Sequence, residues 1–336
     1  MTLRIPDAPR LLLEAELTPV QGTRFQPTGF PDLGAAAYRL HDGTQMLLVE
    51  SPQSVANRLE ATVWDPGAGR LQPILEGLSY VSVVDEEGAE LTNSLLEAHR
   101  LNSVYIEKSD GFDKIRQAVG HEPGTPFDYR KLAEAVCRYD VNSLLHGVFL
   151  ESIAGVLRIP RALSGFIEAR DVSVVTSGGV KNDRVQAATG KDSVATAREG
   201  YGNVPFHRDE YTAGRITAYF NLDLVQLRSY ALGEAVERLL FSLALWKIRT
   251  FLERGLRLRT ACDLDVVDLR VTRPEGVEIS SRGEIEKSLP ELISRVREAG
   301  LFADPPVTRV LNGTRRKGGG KAPARRERAE AQEALS

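Results

Sequence analysis

The chain is poor in the residues that build metal centres and disulfide frameworks. It has only two cysteines, Cys137 and Cys262, far apart and without a CxxC partner. That spacing supports neither a disulfide scaffold nor a zinc site. The five histidines, His41, His99, His121, His146 and His207, are scattered, with no partner at ligand spacing. No apolar run reaches the length of a membrane span, and Met1 to Arg10 lacks a signal-peptide core. A cytoplasmic protein with no membrane partner is expected. A phosphate loop is missing as well. Gly190-Lys191-Asp192-Ser193 hints at one, but the Walker spacing needs glycine where Val185 stands and Ser or Thr where Asp192 stands. Asp263 and Asp265 alternate on one strand face, which a solvated carboxylate row explains more simply than a metal pair. No catalytic residue, metal or cofactor is therefore assigned.

A net basic charge is also absent. The 336 residues carry 43 Lys/Arg and 46 Asp/Glu, a formal charge of −3. The segment from Asn312 to Ser336 holds seven basic and three acidic residues, which leaves 36 basic against 43 acidic elsewhere. A globally basic nucleic-acid binder is thus excluded, and any such binding must be local. Hydrophobic residues make up 42% and charged residues 26%, enough for a full core in one elaborated domain or two smaller ones.

Two stretches concentrate binding chemistry. Ser51-Pro52-Gln53-Ser54-Val55-Ala56-Asn57-Arg58-Leu59-Glu60 reads as a helix start, with Ser51 as cap and Pro52 at the first helical position. Val55, Leu59 and Val63 form its core face, while Ser54, Asn57 and Arg58 lie on another. With no acid between Ser51 and Asn57, that face reads either as an anion site beside a helix N-terminus or as a solvated surface. The second stretch runs from Thr18 to Pro31, rich in Gly and Pro and free of acids. Its Gln21, Thr23, Arg24, Phe25, Gln26 and Thr28 suit a sugar-phosphate backbone, with the aromatic to stack and the amides to bond. A surface loop tied down by Phe25 and Phe30 is the plainer alternative.

Alternating apolar residues predict strands at Arg10–Leu17, Gly165–Val175, Arg215–Leu224 and Ala261–Val271, the last with a phase slip at Val266-Val267 that suggests a bulge. Ile74–Asp85 also reads as strand. Helices are expected at Asn93–Arg100, within Asp128–Glu151, at Leu232–Arg254 with Gly255 as its stop, and at Gly283–Ala299. Between two of the strands, Thr176 to Gly214 is glycine-rich and polar. A connection of that length is a projecting hairpin arm with a function. Its charge is mixed, so charge alone does not make it a nucleic-acid arm.

Without the insertion and the arm, the order is strand, helix, strand, strand, helix, strand. That is the ferredoxin-like, RRM-like arrangement of an α+β protein. The expected boundaries are a first half of the palm at 1–64 and a largely helical insertion at 65–161. The second half follows at 162–311 with the arm at 176–214, then a disordered basic tail at 312–336.

The Gly22–Pro31 motif GTRFQPTGFP, followed by Ser54–Glu60 (SVANRLE), resembles the guide-RNA-binding backbone subunit of type I-G (formerly I-U) CRISPR interference complexes, the Csb-type member of the RAMP superfamily. The resemblance runs from about Arg10 to Asp268 in motif order. It implies a non-catalytic antiviral subunit of a Cascade-like ribonucleoprotein. Such a subunit binds guide RNA (crRNA), polymerises head-to-tail into a helical filament and presents the guide for pairing with target DNA beside the other subunits. By the same resemblance the arm is the thumb, with Lys181, Arg184 and Lys191 as its RNA-contacting cations. The Gly22–Phe30 loop and the Ser54, Asn57 and Arg58 face become the palm's RNA surface. The alternatives are an endoribonuclease of the same superfamily, using His207 or Asp183, Asp192 and Asp209, and a protein-only scaffold.

Overall fold

The computed structural model describes residues 4–30, 32–121, 126–155, 157–181 and 204–313. Its first strand, β1 (Arg10–Pro19), buries Leu11, Leu13, Ala15 and Leu17 on one face, as the alternation predicts. After a loop come β2 (Ala37–Arg39), β3 (Gln45–Glu50) and the helix α1 (Pro52–Ala61). The insertion contributes β4 (Tyr80–Val84), β5 (Glu90–Asn93), α2 (Phe112–Val119) and α3 (Tyr129–Tyr139). The chain returns through β6 (Leu163–Arg170), β7 (Ser173–Lys181), β8 (Val204–Thr212) and β9 (Arg215–Asp223). It closes with α4 (Glu234–Glu253), β10 (Leu256–Arg259), β11 (Cys262–Arg273), α5 (Arg282–Glu298) and β12 (Val307–Leu311).

Seven strands form one antiparallel sheet in the order β10-β11-β1-β9-β6-β3-β2. Helices α1 and α4 supply Val55, Leu59, Leu239, Leu243 and their neighbours to the core. Ser51 caps α1 by accepting from the Ser54 N–H at 3.2 Å, with Pro52 in the first turn, as its sequence predicts. Gly255, at φ +77°, follows the end of α4 where a residue with a Cβ would be strained. The expected bulge is present. Leu17 pairs with Val266 and Glu16 with Asp268, which leaves Val267 as the extra residue, 61% exposed. β3 pairs with β6 and widens the sheet.

Within the insertion the individual elements differ from those expected. Of Ile74–Asp85 only Tyr80–Val84 is strand, and Pro73–Leu75 is a short 3₁₀ turn. Asn93–Arg100 is not a helix. Asn93 ends a strand paired to Ser82, and its side chain accepts from the Leu95 and Leu96 N–H groups, which holds the chain in a turn. The helical pattern of Asp128–Glu151 breaks after Tyr139 and again at Gly147, at φ +77°. β12 then pairs in parallel with β4, tying the C-terminal segment to the insertion. Among the described residues no helix is long and apolar enough to cross a membrane.

Where the insertion meets α1 and α4, charges are buried. Lys247 is fully buried and donates to the Leu59 carbonyl at 3.4 Å, while Arg100 pairs with Glu60 and His146 stands 3.6 Å from it. Burial pushes the Lys247 ammonium down to about 7, against the opposing pull of Glu60 and Asp140. Above that value the unfolded chain holds the proton more tightly than the folded one. The Lys247 contribution to stability therefore rises from pH 7 to 9 and is constant below the folded value. Lys247→Met is expected to remove that part of the rise, read as the difference between denaturation midpoints of the two proteins at pH 7 and pH 9. Equal pH slopes would contradict it.

Candidate nucleic-acid interface

The loop after β1 is stitched down by its backbone. Phe25 and Tyr211 exchange N–H···O bonds of 2.9 Å, the Val20 N–H reaches the Asp263 carbonyl at 3.0 Å, and the Gln26 N–H reaches the Ala261 carbonyl at 2.8 Å. The loop thus bridges the arm's base and the β10–β11 turn. Phe25 corrects one expectation: its ring is 1% exposed and belongs to the core, so it anchors the loop and cannot stack a base. Gln21, Thr23 and Arg24 face outward. Gln26 is half-buried, its side-chain oxygen without a partner, beside a second cavity of about 470 Å³ next to Thr28, Asp209 and Arg259.

Arg24 ties the loop to the arm. One of its terminal nitrogens lies 3.3 Å from the Ser177 hydroxyl and 3.2 Å from Glu210. Glu210, 6% exposed, also accepts two bonds from Arg208, at 2.6 and 3.0 Å. Beside this junction lies a groove of about 610 Å³, open to solvent, lined by Thr23, Arg24, Arg208, Arg254, Arg257 and Asp263 among others. Arg254 has no side-chain partner among the described residues, and Arg257 reaches Asp263 only at 3.7 Å. Cations outnumber carboxylates along the groove, so it forms the local basic surface that the acidic chain as a whole lacks.

The helix face behaves differently from its expectation. Glu50, immediately before the cap, is 1% exposed and turns its carboxylate onto that face. It accepts from the Ser54 hydroxyl, from Arg58 Nε at 3.2 Å and from Arg259. Arg58 also donates to the Leu258 carbonyl at 2.5 Å, and Arg259 donates to the Gln26 and Val49 carbonyls at 3.1 and 3.0 Å. The anion beside this helix start is therefore the protein's own carboxylate. Ser54 and Arg58 are positioning groups, and the expected acid-free face is corrected. Burial lowers the basicity of both guanidiniums. Asn57 remains exposed and accepts from Gln53 at 2.8 Å.

β7 and β8 pair residue for residue from Ser173–Thr212 to Lys181–Val204, with Lys181 exposed on the stem. Arg184 and Lys191 lie outside the described residues, as do Asp183, Asp192 and nearly all of the tail after Asn312. Among the described residues no group of three or more His, Cys, Asp or Glu is placed to hold a metal. Sequence reasoning missed Arg254, Arg257 and Arg259. Their signal was the run Arg254-Gly255-Leu256-Arg257-Leu258-Arg259, which reads as a helix end and not as a surface.

Residues 11–174 match the family model described as CRISPR-associated protein GSU0053. The match takes in the loop, α1, the insertion, β6 and the first two residues of β7, and ends before the arm. The chain is also similar to a chain of a CRISPR RNA-guided surveillance complex, pre-nicking, at 13% identity and TM-score 0.42, covering 87% of this chain and 89% of the other. A chain of a second CRISPR RNA-guided surveillance complex is 13% identical with TM-score 0.38, over 86% and 84% of the two. Csc2 of Thermofilum pendens is 9% identical with TM-score 0.30, over 87% and 77%. No curated protein matches the chain.

Proposed function

We propose that the protein is a guide-RNA-binding backbone subunit of a type I CRISPR interference complex. The observation that carries this is the arginine-lined groove, where the Gly22 loop, the arm's stem and the β10–β11 turn converge. The family match over residues 11–174 supports the CRISPR assignment. In this reading Gln21, Thr23, Arg24, Arg208, Arg254 and Arg257 contact the sugar-phosphate backbone, with Asn57 and Lys181 at its margins. Glu50, Ser54, Arg58 and Arg259 hold the loop in place behind them. The order β11-β1-β9-β6, with α1 and α4 as the two crossovers, fits a ferredoxin-like palm. The arm is its thumb, and heterologous contact between copies generates a head-to-tail filament in the cytoplasm. Target DNA engages through pairing with the guide, and cleavage belongs to other subunits.

A subunit that tiles along varied guides must not read bases, because phosphate contacts position and base contacts specify. Purified protein is therefore expected to bind unrelated RNAs of equal length with equal affinity. It should leave them intact with or without divalent metal. The check is a binding isotherm and a cleavage gel on several sequences. Sequence-dependent affinity would contradict the backbone role. Cleavage abolished by Asp209→Ala would favour the ribonuclease.

A further inference from the structure

Among the described residues the face of the large sheet turned away from α1 and α4 carries no helix, and carboxylates are concentrated along it beyond the groove-lining Arg257 and Asp263 at its edge. Its centre is a stacked aromatic pair on neighbouring strands, Phe166 and Tyr219, with ring centroids 5.0 Å apart and planes at 27°. Both rings are half-buried and border a shallow cavity of about 250 Å³ with Leu12, Gly165, Asn221 and Thr272. Carboxylates flank them. Glu14 and Glu16 follow on β1, and Asp265 and Asp268 lie opposite Thr18 and Glu16 on β11. Glu168 accepts from the Tyr38 hydroxyl at 2.6 Å. Arg270 pairs with Glu14 at 2.9 Å and Arg215 with Glu16 at 3.5 Å. No ion pair within 4 Å reaches Asp265 or Asp268 among the described residues.

We infer that this face is a docking surface for a basic polypeptide segment, and that the chain's own residues 314–336 supply it. Exposed carboxylates repel a phosphate backbone, which directs nucleic acid to the groove and away from this face. The same carboxylates match guanidinium forks, and paired aromatic faces offer cation–π contacts. Residues 314–336 contain seven Lys/Arg, all between Arg315 and Arg328, against three Glu. From Gly313, 23 residues can extend up to about 75 Å, further than the width of a domain of this size. Covalent linkage raises the segment's effective concentration at the face.

The test uses the full chain without RNA. Zero-length carbodiimide crosslinking at low salt is expected to join Lys317 or Lys321 to Asp265, Asp268 or Glu16, at the mass of a single chain. Tryptic cleavage at Arg325 and Arg326 should be slowed about tenfold relative to Asp265→Lys/Asp268→Lys, a one-decade occupancy ratio, and relative to wild type in high salt. Asp265→Asn/Asp268→Asn, which only neutralises exposed groups, keeps the comparison valid should the reversal misfold. Crosslinks to acids elsewhere, a cleavage rate indifferent to these substitutions and to salt, or protection only after RNA is added would overturn the inference.

Discussion

The chain carrying Arg24→Ala, Arg254→Ala and Arg257→Ala together is expected to lose on the order of 100-fold in RNA affinity near 0.1 M salt. The loss should be the same for unrelated sequences. These arginines line one groove from three separate elements, and the side chains of Arg24 and Arg257 are 54% and 79% exposed. Removing them therefore costs little core packing. Each phosphate released from contact lowers the salt slope of single-strand binding by about 0.7, so the slope should fall by about 2. Glu210 keeps its second partner, Arg208, and stays satisfied. Arg10→Ala and Arg270→Ala, neither of which lines the groove, serve as controls and should change nothing. The measurement is fluorescence anisotropy across a salt series. A loss confined to some RNA sequences would show base reading, and no loss would remove the groove from the interface.

The second large effect concerns Glu50. Its carboxylate is the common partner of Ser54, Arg58 and Arg259, and Arg259 in turn holds the Gln26 carbonyl of the loop. Glu50→Ala leaves two guanidiniums facing each other without their anion. Breaking such a pair is expected to cost about 3 kcal/mol, the low end for a buried ion pair. The low end applies because the arginine side chains keep 31% and 24% exposure. The loss should appear in chemical denaturation, and the loop should lose RNA affinity even where the chain stays folded. Glu50→Gln, which keeps the shape and removes the charge, should fall between. A Glu50→Ala protein as stable as wild type would show that the cluster does not anchor the loop.

The strands and helices of the large sheet were legible because their periods are clean. Leu11 to Leu17 alternate, the α4 stripe repeats every three to four residues, and a single out-of-phase valine marks the bulge. The insertion was not legible for a physical reason. Its strand Glu90–Asn93 exists by pairing with Ser82 and Val83, and an Asn93 side-chain turn overrides the local helical preference. For the candidate site, Arg24 and its neighbours were visible as an acid-free loop. Phe25 was misread because an aromatic between polar residues looks the same whether it points out or in. The Glu50 network was hidden by one residue of phase: a carboxylate just before a helix cap reads as the end of a strand, and only the fold turns it onto Ser54 and Arg58. Arg254 and Arg257 could not be joined to Arg24 without the sheet order that brings β10 and β11 beside β1.

A backbone subunit grows along its guide RNA. Light scattering of the purified protein on RNAs of increasing length tests this most directly. The expected result is a mass that rises in even steps, each of one 36.9 kDa chain per fixed increment of RNA. The steps should vanish in a variant whose arm is replaced by a short turn between Ser173 and Thr212. A single protein bound per RNA at every length would contradict the backbone role, and steps that survive removal of the arm would contradict its place between subunits.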